Sequence, residues 1–206
     1  MKRTVTAIKW LKSRPDRVLI HLDDQPWATV SLLAAGRFQV GDRIEPREAE
    51  KLRTDQERRD AYHCALRWLG ARDRSVSEVR QRLKQKGFHR AAIDHTLTTL
   101  MDKKYLDDQR FARNWVNDRI NHAPRGSRLL AYELRQKGID PGTISSALDL
   151  ADEGAMATAC LRRKRRRWRR LEDKARRHKM LAYLSRKGFA ADISHHAVDR
   201  YRDQTD

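Results

Sequence analysis

The sequence predicts a mainly α-helical protein, an elongated tandem array of three three-helix modules preceded by a small N-terminal β-meander. Three observations carry that prediction. A short cassette recurs as Leu83-Lys84-Gln85-Lys86-Gly87-Phe88, Leu134-Arg135-Gln136-Lys137-Gly138-Ile139 and Leu184-Ser185-Arg186-Lys187-Gly188-Phe189, with its glycines 51 and 50 residues apart. Apolar residues recur at matched offsets around each cassette. Residues 1 to about 45, by contrast, hold β-branched and aromatic runs.

The N-terminal segment, 1–54, comes first. Residues 5–8, 17–22 and 27–30 read as strands, with Val18, Ile20 and Leu22 on one face and Asp23-Asp24-Gln25-Pro26 as a turn. A further extended piece is expected over 38–44, with Gly41-Asp42 turning the chain. So small a sheet needs a partner, and Trp10 or Trp27 is the expected contact with the first helical module. Core or docking contacts are favoured over base stacking for these tryptophans.

From Glu45 onward the pattern is helical. The modules are expected at 55–105, 106–150 and 151–206. In each, a first helix starts near Asp55, Asp107 or Asp152, and aligns Ala61, Ala112 and Ala157. Cys64, Trp115 and Cys160 then share one position, which favours plain core over a redox pair or metal site. The second helix opens at a capping box, Ser75-Val76-Ser77-Glu78, or at Gly126-Ser127, and carries an apolar face through Val79/Leu83, Leu130/Leu134 and Met180/Leu184. It stops at Gly87, Gly138 or Gly188, the left-handed C′ position of a Schellman cap, where Phe88, Ile139 or Phe189 returns to Leu83, Leu134 or Leu184. A short return helix follows through Ile93, Ile144 or Ile193, with Asp140-Pro141 supplying an N-cap and a Pro at N1 in the second module.

The charge narrows the function. A formal net charge of +18 points to a polyanionic partner, nucleic acid or a strongly acidic protein surface. It is uneven: +4 over 1–54, +5 over 55–105, +1 over 106–150 and +8 over 151–206. The strongest local signal is Arg162, Arg163, Lys164, Arg165, Arg166, Arg167, Trp168, Arg169 and Arg170, eight basic residues in nine, placed where the first helix of the third module is expected to be extended. Basic charge on every face of one helix repels itself until a polyanion neutralises it, which favours contact over a merely solvated run. Six such contacts to single-stranded backbone give a log–log salt slope of roughly −4. Sequence specificity is not predicted, because no base-reading constellation is evident.

Catalytic signatures do not emerge. There is no Walker-type loop, His-Glu-x-x-His, Cys-x-x-Cys or nucleophile elbow, and His195-His196 lacks the helical spacing of a metal pair. Asp107-Asp108 reads as helix capping in preference to an acidic-pair nuclease. No enzyme, cofactor or metal is expected. No apolar run reaches the ~20 residues of a membrane span, no signal peptide is evident, and only two cysteines occur, so a cytoplasmic protein with no membrane partner is expected.

Three ordered stretches carry a family resemblance: Arg74-Ser75-x-x-Glu78-Val79-x-x-x-Leu83-x-x-Lys86-Gly87-Phe88, then Tyr105-Leu106-Asp107-Asp108-x-x-Phe111-Ala112, then Gly126-x-x-x-Leu130-x-x-Glu133-Leu134-x-x-Lys137-Gly138-Ile139. From about Asp55 onward the chain resembles the bacterial RecX regulatory proteins. Departures are mild: the Arg-rich insertion is heavier than expected, and Ile139 replaces the commoner aromatic. The resemblance implies a monomeric modulator of the RecA recombinase, a partner of the RecA filament and of single- and double-stranded DNA through phosphate contacts. Lying in the filament groove, it would restrain strand exchange, ATP hydrolysis and SOS coprotease activity. The alternative is a DNA-binding or architectural protein without sequence specificity, built from helix-turn-helix-like modules.

Overall fold

The structure, a computed structural model, describes residues 1–149 and 151–203; Leu150 and 204–206, at the outer edges of the expected second and third modules, lie outside the described residues. Four strands, β1 (Arg3–Leu11), β2 (Arg14–Leu22), β3 (Gln25–Ser31) and β4 (Arg43–Ile44), form one antiparallel sheet in the order β3-β2-β1-β4. Asp23 and Asp24 both adopt positive φ, 50° and 65°, which matches the twist a two-residue hairpin needs. Pro26 is tolerated because β3 is an edge strand. The alternation read in the sequence holds: Val18, Ile20 and Leu22 are buried with Val5 and Val30. The extended piece expected over 38–44 shrinks to β4, preceded by a short helix, α1 (Leu32–Ala35), capped by the Ser31 hydroxyl.

Helices follow in the order α2 (Pro46–Ala71), α3 (Val76–Gln85), α4 (Arg90–Asp102), α5 (Asp108–His122), α6 (Ser127–Gln136), α7 (Pro141–Leu148), α8 (Glu153–Arg163), α9 (Arg165–Trp168), α10 (Asp173–Arg186) and α11 (Ala191–Asp203). The described residues are thus mainly α-helical, as expected. Two differences from the expected elements have local causes. α2 begins at Pro46 instead of near Asp55, because Pro suits the first helical turn and the Glu45 carbonyl already accepts from Ala49 N–H at 2.9 Å. The first helix of the third module does not run on through the basic stretch; it breaks at Lys164 (φ −107°, ψ 11°) and restarts as α9.

The chain divides into two compact units, Met1–Ala71 with Arg82–Asp102, and Arg72–Gln81 with Lys103–Asp206. In the first, the sheet docks on α2 through ions and amides. Arg17 donates to Asp60, with Nη1 at 2.6 Å from Oδ2, and Gln56 Nε2 donates to Asp60 Oδ1 at 2.9 Å. Trp27 packs against the hydrophobic cluster of the sheet, which includes Ala49 of α2, and Trp10 does not serve as the expected contact: it is 67% exposed. The α3–α4 turn is tied to α2 where Glu57 accepts from His89 N–H at 2.7 Å.

In the second unit, α5 to α11 share one core built on Leu130, Leu134, Leu161, Met180, Leu184 and Phe189 among others. The three cassettes form the same cap. Phe88, Ile139 and Phe189 N–H groups bond the Leu83, Leu134 and Leu184 carbonyls at 3.3, 3.1 and 3.2 Å, with Gly87, Gly138 and Gly188 at φ +84°, +75° and +85°.

Candidate nucleic-acid interface

Within the second unit, a repeated polar junction joins successive modules and fixes where the basic run sits. Ser75 Oγ donates to the Lys137 carbonyl at 2.6 Å, and Gly126 N–H donates to the Lys187 carbonyl at 2.8 Å. Beside these, Val76 N–H donates to Asp108 Oδ1 at 2.9 Å and Ser127 N–H to Glu153 Oε1 at 3.0 Å. Each junction therefore satisfies orphan donors at the start of a second helix with acceptors from the next module. Asp107 and Asp108 have separate structural tasks here, since Asp107 caps α5 through Arg110 N–H at 2.9 Å. Burial pushes the Asp108 carboxyl up, against the Val76 hydrogen bond.

The first of these junctions also carries charge. Glu78 lies between Lys137 Nζ at 2.7 Å and Arg72 Nη2 at 3.1 Å. Burial alone pushes its carboxyl up, but the two cations outweigh this and hold it at about 2. Trp115, expected as plain core, is only half-buried: its indole N–H donates to Glu133 Oε2 at 2.8 Å, and the Arg119 guanidinium covers its face at 4.3 Å. Cys160 at the matching position is buried, donating its S–H to the Pro124 carbonyl at 3.3 Å, and burial pushes its thiol up. Burial in place of a lowered pKa argues for packing over reactivity. Among the described residues, no three His, Cys, Asp or Glu side chains are grouped to hold a metal ion, and no helix is long and apolar enough to cross a membrane.

The basic run is built on this frame. Trp168, expected with the arginines at the polyanion, is instead an anchor: it is 3% exposed, its indole N–H donates to the Leu161 carbonyl at 3.2 Å, and its ring lies 5.7 Å from Tyr183. The Leu161 carbonyl also accepts from Lys164 N–H at 3.0 Å, so the indole is its second donor, and the buried ring holds the short α9 in place. Arg163 donates to the His122 and Asn121 carbonyls at 2.7 and 2.9 Å, covering the C-terminus of α5. Arg162, Lys164, Arg165, Arg166, Arg167, Arg169 and Arg170 are exposed. Among the described residues, no carboxylate pairs with Arg165, Arg166, Arg167, Arg169 or Arg170, so this short stretch keeps its full positive charge facing water. Sequence reasoning located the run but missed its anchor and the junctions; the matched spacing of Ser75 and Gly126 before their glycines was the available signal for the latter. Gly87, Gly138 and Gly188 are helix stops, and the two in the second unit also let the junctions close.

Comparison with known proteins places this architecture. Models of the first, second and third three-helix domains of RecX match residues 61–100, 107–148 and 151–198. The chain is 29% identical to the regulatory protein RecX of Bacillus subtilis (strain 168) across 98% of its own length and 78% of that protein's. It is 35% identical to the regulatory protein RecX of Mycobacterium sp. (strain KMS) across 65% of its own length and 77% of that protein's. A crystal structure of a regulatory protein RecX superposes with a TM-score of 0.71, covering 96% of this chain and 99% of that one at 24% identity. The structure of RecX from Lactobacillus salivarius gives 0.66 over 71% of this chain and 97% of that one at 23% identity. With all three domains matched in order, the chain belongs to the RecX family of regulatory proteins.

Proposed function

We propose that this protein regulates the RecA recombinase by binding the RecA filament on DNA. As a monomer in the cytoplasm, it lies in the helical groove, bridges neighbouring RecA subunits and restrains strand exchange, ATP hydrolysis and coprotease activity. The observation that carries the proposal is the α9 stretch, where arginines that pair with no carboxylate among the described residues stand on a helix pinned by Trp168. Such a surface gains from phosphate by counterion release and by bidentate guanidinium contacts, and needs no base reading. A regulator of this kind uses no chemistry of its own: occupying the groove opposes the subunit rearrangements that turnover requires. The same arginines also suit a general DNA-binding or architectural protein, which is the second reading. RecA ATPase and strand-exchange assays with added protein test the proposal. Both rates are expected to fall as the protein is added; unchanged rates at saturating protein would refute it.

A further inference from the structure

Only part of the basic run converges on one place. Arg165 and Arg166 of α9, Arg169 just after it and Arg176 of α10 line a cleft of about 430 Å³ whose floor is Trp168 and Tyr201. Both floor residues are buried, so the guanidinium groups stand on rigid support. Among the described residues, the one carboxylate paired with this set is Asp173, which Arg176 shares with Arg202. Several guanidinium groups around one cleft repel each other, and their planar forks match the oxygens of phosphate as well as those of carboxylate. The volume is ligand-sized, beyond what one inorganic phosphate fills. A chain of acidic side chains spreads its charges, whereas linked phosphates concentrate them within the one cleft that these four side chains line.

We propose that this cleft is a binding site for a ligand with adjacent phosphate groups, held by Arg165, Arg166, Arg169 and Arg176. The chemistry is shared by a free nucleoside triphosphate and by successive phosphates of a nucleic-acid strand. The proposal rests on the reading of the basic run as a polyanion surface and narrows it, drawing in Arg176 and Tyr201 from outside the run and leaving Arg162, Arg163, Lys164, Arg167 and Arg170 out.

The test is calorimetric titration of the full chain with sodium tripolyphosphate, a nucleoside triphosphate and a short 5′-phosphorylated oligothymidylate, against sulfate at matched ionic strength. Tripolyphosphate is expected to bind about tenfold more tightly than sulfate. Arg165→Gln and Arg169→Gln should each weaken it about tenfold, as loss of a charged hydrogen-bond donor does; Arg170→Gln, outside the cleft, should weaken it by less than about twofold, as loss of a screened distant charge does. Arg176→Gln should match the cleft variants, with thermal melts confirming that loss of its contact to Asp173 leaves the fold intact. The triphosphate binding more tightly than tripolyphosphate identifies a free nucleotide; the oligothymidylate doing so identifies a strand. Binding no tighter than sulfate, or equal weakening by Arg169→Gln and Arg170→Gln, would overturn the proposal. If those two variants instead lower DNA and filament affinity equally while tripolyphosphate fails to bind, the polyanion reading stands and the cleft falls. Tripolyphosphate held by the cleft with DNA and filament affinity unmoved by either variant gives the converse.

Discussion

Alanine replacements at four glycines separate backbone strain from junction packing. Gly87→Ala places a side chain at φ +84° with nothing within 4 Å of the new Cβ, so its cost is the left-handed conformation alone, about 1–2 kcal/mol. Gly126→Ala is the mirror case. Its backbone is ordinary, φ −69°, but the Cβ would lie 2.3 Å from the Gly188 carbonyl carbon and oxygen and from Phe189 N, all backbone that cannot swing aside. Its cost is packing alone, about 1–3 kcal/mol. Gly138→Ala combines both, with φ +75° and a Cβ 2.4 Å from that of Ser77, and Gly188→Ala does the same at 2.5 Å from the Leu129 Cβ. For these two the terms sum to about 2–5 kcal/mol. Urea unfolding followed by probes of each unit reads the losses, and amide exchange at Val76 and Gly126 resolves the two junctions from one another. A neutral Gly126→Ala, or a Gly87→Ala as costly as Gly138→Ala, would refute this separation of strain from packing.

Three further outcomes are expected. The depressed Glu78 carboxyl contributes stability that is fully present above its ordinary value of 4.5 and is lost as pH falls towards about 2; Glu78→Gln should flatten that loss in urea midpoints measured across the window. Replacing Arg165, Arg166, Arg167 and Arg169 with Ala should lower affinity for DNA or filament and shrink the single-strand salt slope by roughly 3, with helicity by circular dichroism unchanged; loss of helicity would mean that the run is structural. Trp168→Ala should cost about 3–5 kcal/mol in unfolding measurements, whereas Trp168→Phe, which loses mainly the bond to Leu161, should cost about 1 kcal/mol plus a small packing term.

What could be read in the sequence was what neighbouring residues decide. A Schellman cap is settled within six positions, so Leu83 to Phe88 announces it and two repeats of the spacing announce modules. The strand alternation at Val18, Ile20 and Leu22 is equally local. The start of α2 was misplaced because its first turns bury little beyond Ala49, leaving no apolar stripe to read. The junctions were hidden for a different reason: Ser75 meets Lys137 across 62 positions, and a carbonyl acceptor leaves no mark on residue identity. In the basic run the charge masked Trp168, whose burial depends on the break at Lys164 that folds the chain back onto Leu161.

If the protein acts as proposed, it prefers the RecA filament to DNA alone. Binding to RecA-coated DNA and to bare DNA, compared at ~150 mM salt where purely phosphate-driven affinity is weakened, tests it most directly. Filament recognition requires tighter binding to the coated strand. Equal or tighter binding to bare DNA would contradict it.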